Sequence, residues 1–188
     1  GYDCSVKSHA QAAGCWQFIK KTGRQYGLKT GVWQDDRHEI KKATQAAVDY
    51  LKNLHVIYRD WNLTLAAYNC GMGNLNRAIR KAGTRDVWKL DLPQETRDYV
   101  PKFYAVVLIA KDRQFNNSQL ISIELKKGIH NLRFISETIL GVKYKTFQAI
   151  NPGFRIDYTP PNKIVTIYLK PEWNLKLLCA FGVSDCSM

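Results

Sequence analysis

Ala12-Ala13-Gly14-Cys15-Trp16-Gln17-Phe18, Ala67-Tyr68-Asn69-Cys70-Gly71 and Glu95-Thr96-Arg97-Asp98-Tyr99 are the three stretches that decide how this chain is read. Each sets glycine, carboxamide, aromatic or charged side chains close together, and the sequence between them has a helical period. Ile40, Ala43, Ala47, Leu51, Leu54 and Tyr58 recur at three- and four-residue steps, the stripe of an amphipathic helix, with Asp35 or Asp36 as its expected cap. Residues 62–69 predict a short helix stopped by Gly71 and Gly73. Leu75, Ala78, Ile79 and Ala82 then restart the period until Gly83 ends it. Pro93 stands near the start of a further helix, a favourable place for proline. Beyond Tyr99 that helix is apolar on every side, so Phe103 to Ala110 is expected to be a core helix at the centre of an all-helical domain.

The character changes after Asp112. Arg113-Gln114-Phe115-Asn116-Asn117-Ser118 is polar and turn-prone, which places a domain boundary there: residues 1–112, then residues 113–188. The second part opens on Ile121, Ile123 and Leu125, a strand with one buried face. Asn131 can cap a helix carrying Leu132, Ile135 and Ile139, which Gly141 stops. A second helix holds Phe147 and Ile150 before Asn151-Pro152-Gly153. Ile164 to Leu169 makes a closing strand. The expected fold class is mainly α, a helical domain followed by a small β-α-α-β domain.

The chain has 188 residues, 45% of them apolar and 23% charged, which excludes a disordered tail and suits one or two folded domains. No apolar run reaches the roughly 18 residues of a membrane span. The net charge of +12 fits nucleic acid, an anionic membrane surface or an acidic polymer. It is spread over both parts, with 18 basic and 11 acidic residues before position 113 and 10 and 5 after it, which argues against a dedicated DNA-reading helix. Of five cysteines, Cys179 and Cys186 bracket a short loop that a disulfide could close, favouring an oxidising compartment. Cys4, Cys15 and Cys70 are expected as small buried hydrophobes. No ligand spacing suggests zinc, and no cofactor is implied.

In order and separation, the three opening stretches resemble the sugar-cleaving domain of the soluble lytic transglycosylase family, which includes goose-type lysozymes. Trp16 brings the resemblance closer to the transglycosylase D branch; Cys15 and Cys70 depart from the common pattern. The second part resembles the LysM fold, through its order of elements and the phrase Phe147-Gln148-Ala149-Ile150-Asn151-Pro152-Gly153. A small structural appendage without a ligand accounts for that part nearly as well.

Cleaving a glycosidic bond needs an acid to protonate the leaving oxygen, a carboxyl whose pKa is raised in a cleft. The resemblance implies a single glutamate performing both proton transfers, while the sugar's 6-hydroxyl attacks and leaves a 1,6-anhydro end. Counting the family's spacing back from Gln17 places that glutamate two positions before Gly1. Asp3 is too far along to be it. Ser8, Gln17, Tyr68, Asn69, Gly71 and Tyr99 match the family's substrate contacts: Gln17 and Asn69 offer both donors and acceptors, the rings offer stacking faces, and the glycines keep the wall low. Ser8 is equally well read as a turn serine and Tyr99 as a core tyrosine. Glu95, one helical turn before Tyr99, is the in-chain carboxylate to weigh, although its first-turn position favours helix capping or a buried ion pair over catalysis.

The expected substrate is peptidoglycan, cut between N-acetylmuramic acid and N-acetylglucosamine, by an exported monomer in the periplasm or cell envelope, with outer-membrane anchoring through upstream sequence left open. A hydrolytic lysozyme and a wall-binding module without the acid are the alternatives. A nucleic-acid binder ranks last, since no groove-reading motif is present.

Overall fold

The computed structural model describes residues 11–112 and 120–180. The chain is mainly helical, with one two-stranded sheet, and divides into two compact units: Gln45–Asn116, and Gly1–Thr44 together with Asn117–Met188. One join lies next to the compositional break at 112/113. The other, at Thr44–Gln45, falls inside a continuous helix and has no counterpart in composition. Among the described residues no helix is long and apolar enough to cross a membrane.

The unit over Gln45–Asn116 holds most of α2 (Ile40–Tyr58), then α3 (Trp61–Cys70), α4 (Met72–Ala82), a 3-10 turn at Val87–Lys89 and α5 (Gln94–Asp112). Asp60 caps α3, its side chain accepting from the Leu63 N–H at 2.8 Å. Leu54, Tyr58, Leu63, Leu65, Leu75 and Val100 bring the apolar faces of these helices into one core. Gly71, at φ 82°, ends α3 and starts α4, and Gly83 closes α4 in the left-handed conformation. Gly73 is not a stop: it lies inside α4. Nor is Phe103 to Ala110 a core segment, because Tyr104, Val106, Val107, Leu108 and Ile109 are all exposed. The lengths explain this. α5 has 19 residues and α3, against which it packs, has 10, so at about 1.5 Å per residue α5 outruns its partner.

The other unit opens with a tight turn over residues 13–18, followed by α1 (Lys20–Gln25) and a 3-10 turn at Asp36–His38. Its second segment runs β1 (Ile121–Leu125), α6 (Leu132–Phe134) continuing into a π-helical turn at Ile135–Ile139, α7 (Tyr144–Ile150), β2 (Val165–Leu169) and α8 (Pro171–Ala180). The expected strand-helix-helix-strand order is present, and α8 follows it. β1 and β2 pair antiparallel, from Ile121 opposite Leu169 to Leu125 opposite Val165. Leu125, Leu132, Leu140, Phe147, Ile167 and Leu169 form the core between sheet and helices. Asn131 caps α6 as expected, accepting from the Phe134 N–H. The buried Asn151 side chain lies along β2: its Oδ1 accepts from the Tyr168 N–H at 2.7 Å and its Nδ2 donates to the Tyr168 carbonyl at 2.8 Å.

The start of α2 differs from expectation. Asp35 caps the 3-10 turn, and Asp36 accepts from the Lys29 N–H and the Lys42 ammonium. Glu39 caps α2 instead, accepting from the backbone N–H groups of Lys41 and Lys42, both at 3.0 Å. Ile40, in the first turn, is 51% exposed and lines an open cavity of about 510 Å³ with Pro152, Phe154 and Tyr168, so the buried stripe begins at Ala43.

Candidate functional site

The last turn of α3 carries Tyr68 and Asn69. Leu63 to Ala67 are buried, and the stop at Gly71 leaves Tyr68, Asn69 and Cys70 half-buried at the end of the helix. A Cβ at Gly71 would meet nothing within 4 Å, so the residue is there for its positive φ and for the low surface it leaves. The first turn of α5 comes up beside it. Thr96, almost fully buried, donates its hydroxyl proton to Asn69 Oδ1 at 2.7 Å, and Asn69 Nδ2 lies 3.5 Å from Glu95 Oε1. One side of the carboxamide is thereby fixed and its N–H₂ points toward an exposed carboxylate.

Tyr68 packs its ring against Tyr50 of α2, centroids 5.3 Å apart, and Tyr99 packs on Phe103 at 6.4 Å. Burial pushes the Tyr68 phenol well above its ordinary value, and the nearby Tyr99 and Tyr50 add to this; burial raises Tyr99 as well. Both rings are therefore neutral phenols at physiological pH, suited to stacking and hydrogen bonding and not to carrying charge. The Cys70 thiol is raised by burial, against a bond with the Thr96 side chain that lowers it.

The Gly14–Gln17 stretch forms a tight turn closed by the Ala13–Phe18 bridge, with the Ala13 N–H donating to the Phe18 carbonyl at 3.1 Å. Gly14, at φ 77°, could not carry a side chain: a Cβ would stand 1.8 Å from the Arg37 carbonyl oxygen. Gln17 is also at positive φ, 49°, and is exposed. Its backbone N–H and its side-chain Nε2 both donate to the Gly14 carbonyl, at 3.0 and 2.8 Å. Trp16 donates its indole N–H to Thr44 Oγ1 at 2.8 Å. Behind the turn lies a buried ion pair. Asp35, with no solvent exposure, accepts from Arg37 Nε and Nη2 at 3.0 and 2.8 Å and from Arg155 Nη2 at 2.8 Å. Burial alone would raise its pKa, but the bonds and charge of Arg37, helped by Arg155, bring it down to about 2.

Within the Gln45–Asn116 unit the structure thus gathers Tyr68, Asn69, Gly71, Glu95 and Tyr99, and in the other unit it presents Gln17 on its own turn. Glu95 is exposed in the first turn of α5 and has no buried ion pair. Ser8, Cys4 and Cys186 lie outside the described residues, as does the side chain of Cys179, so the expected Cys179–Cys186 bridge does too. Cys15 is exposed and disulfide-bonded, not the buried hydrophobe expected; Cys70 is a half-buried free thiol. Two participants carried no sequence role. Thr96 stood inside a quoted motif, but its contact with Asn69 spans 27 positions. Tyr50 could have been flagged by its three-residue step from Ala47 on the α2 stripe. Among the described residues no three His, Cys, Asp or Glu side chains are grouped to hold a metal ion.

Residues 1–90 match the family model described as the Transglycosylase SLT domain. The chain is also similar to the membrane-bound lytic murein transglycosylase D of Escherichia coli strain K12 and to its counterpart in strain O6:H1, in each case 34% identical over 179 residues and covering 87% of this chain. It spans 40% of the length of those relatives. Residues 1–90 are thus similar to the SLT transglycosylase domain, and the similarity to the two murein transglycosylases extends over 179 residues.

Proposed function

We propose that this chain binds the glycan strands of peptidoglycan through Tyr68, Asn69, Gly71 and Tyr99, with Gln17 and Ser8 as further sugar contacts, and that the protein is a lytic transglycosylase of the cell envelope. The observation that carries the reading is the Thr96–Asn69 bond: a carboxamide held in one orientation beside two neutral, half-buried tyrosines is the equipment needed to recognise a sugar's hydroxyl and N-acetyl groups. The net charge of +12 suits a polymer whose stem peptides carry carboxylates. The relatives of similar sequence are named as lytic murein transglycosylases.

The bond we assign is the β-1,4 link between N-acetylmuramic acid and N-acetylglucosamine, cut with 1,6-anhydro end formation. By the family's spacing the general acid is the glutamate two positions before Gly1. Glu95 is exposed in the first turn of α5, so we give it a sugar-facing or capping role. We read residues 113–188 as a LysM-like appendage and tail, and the Cys179–Cys186 bridge as suited to an oxidising compartment. The test is to incubate the full-length protein with purified sacculi and weigh the soluble products. Muropeptides one water lighter than hydrolysis yields support the reading. Reducing ends alone would make the protein a hydrolase, and binding without release would make it a wall-binding module.

A further inference from the structure

The buried carboxylate behind the Gln17 turn draws on a residue far away in sequence. Arg155 lies in the connection between α7 and β2, 120 positions after Asp35. It reaches the first segment of its unit twice, donating its backbone N–H to the Trp33 carbonyl at 2.9 Å and its Nη2 to Asp35 Oδ2 at 2.8 Å. The Asp35 N–H in turn donates to the Gly153 carbonyl at 2.9 Å. Asp35 passes this hold on to Arg37, gripping it through both carboxylate oxygens. Arg37 then fixes the turn at three points. Its Nη1 donates to the Gln11 carbonyl at 2.8 Å and to the Phe18 carbonyl at 2.9 Å, on either side of the turn, and its own carbonyl oxygen occupies the space that a side chain at Gly14 would need.

We infer that Arg155 is a positioning residue for Gln17: through Asp35 and Arg37 it sets the conformation of the Gly14–Gln17 turn, so that the connection between α7 and β2 supports the sugar contact made by Gln17. A carboxylate shared by two guanidinium groups is held in one orientation, and the planar fork of Arg37 transmits that orientation to the carbonyls it binds. Without Arg155, Asp35 keeps one cationic partner and loses the bond that orients Oδ2 from the far side. Arg37 is then free to tilt and the turn to shift with it. The inference rests on the proposed sugar-binding role of Gln17.

The test uses the full, ¹⁵N-labelled chain in three variants, with backbone amide spectra, the Gln17 side-chain amide signals and co-sedimentation with purified sacculi as readouts. R155Q is expected to move the Gly14, Gln17 and Phe18 signals and to weaken sacculus binding about fivefold, the scale of one net hydrogen bond. R155K, which keeps the charge, is expected to restore both readouts by more than half. Y168F removes the separate bond from Tyr168 to Glu39 and is expected to leave the turn signals in place. Unmoved turn signals in R155Q, or equal displacement in R155Q and R155K, would overturn the inference. If R155Q does not fold, R155K decides: wild-type turn signals support the coupling and chain-wide shifts refute it. Turn signals that move with no change in sacculus binding leave the coupling standing and remove Gln17 from the sugar site.

Discussion

Replacing Thr96 by valine keeps the shape of a buried side chain and deletes the atom that donates to Asn69 Oδ1 at 2.7 Å. A neutral hydrogen bond contributes about 1 kcal/mol net, and the larger penalty of an orphaned buried acceptor does not apply in full, because the half-buried Asn69 can recover water. Thr96→Val should therefore cost about 1–2 kcal/mol, a fall of roughly 3 °C in Tm per kcal/mol for a chain of this size. The functional effect has a separate origin: an Asn69 amide free to rotate must be reordered each time a sugar binds, which weakens sacculus binding about three- to fivefold. Urea denaturation of T96V, N69A and the double variant measures the first effect, and co-sedimentation with sacculi the second. The stability cycle should give a coupling of about 1 kcal/mol. Losses that add to within about 0.3 kcal/mol would show that the bond contributes nothing. Binding weakened by N69A but untouched by T96V would reduce Thr96 to packing.

Gly14→Ala places a methyl against the Arg37 carbonyl at a positive φ and should destabilise by about 3 kcal/mol; a loss under about 1 kcal/mol by urea denaturation would contradict the close approach. Asp35 has a depressed folded pKa, so its stabilisation is complete above the ordinary carboxylate range and disappears as pH falls toward 2, a change of about 2 kcal/mol; ¹³C titration of its carboxyl should give a midpoint near 2, and one near 4 would refute the arrangement. Tyr168→Phe removes a 2.7 Å bond to a buried carboxylate and should cost about 1–2 kcal/mol by chemical denaturation, with a change below about 0.3 kcal/mol counting against it.

What the sequence made legible was local. The α2 stripe, the Asn131 cap, the Gly83 stop and the two strands all depend on residues within a few positions of one another, where period and capping chemistry apply directly. That Tyr68, Asn69 and Tyr99 belong to one neighbourhood was implied by the resemblance; the pattern places each only within its own helix and sets Glu95 one turn before Tyr99. The misses needed distances that sequence does not hold. Three carboxylates stand close together at the start of α2, and their partners distribute the work: Lys29 and Lys42 engage Asp36, Arg37 and Arg155 engage Asp35, and Glu39 is left to cap. An apolar run reads as core from composition alone, yet α5 is longer than the helix it packs on. Gly14 could be flagged as permissive, but the carbonyl that demands it comes from Arg37.

The side chain of Asn151 lies along β2 as a further strand would, taking up both the amide and the carbonyl of Tyr168. A two-stranded sheet has two open margins, each a template on which a foreign chain can add and from which fibres grow. Toward the end of one margin, at Tyr168, that template is already occupied by a carboxamide from within the same chain. Exchanging Asn151 for an aliphatic residue would expose the site to its neighbours in solution, so the cost would show first as self-association and only afterwards as lost stability.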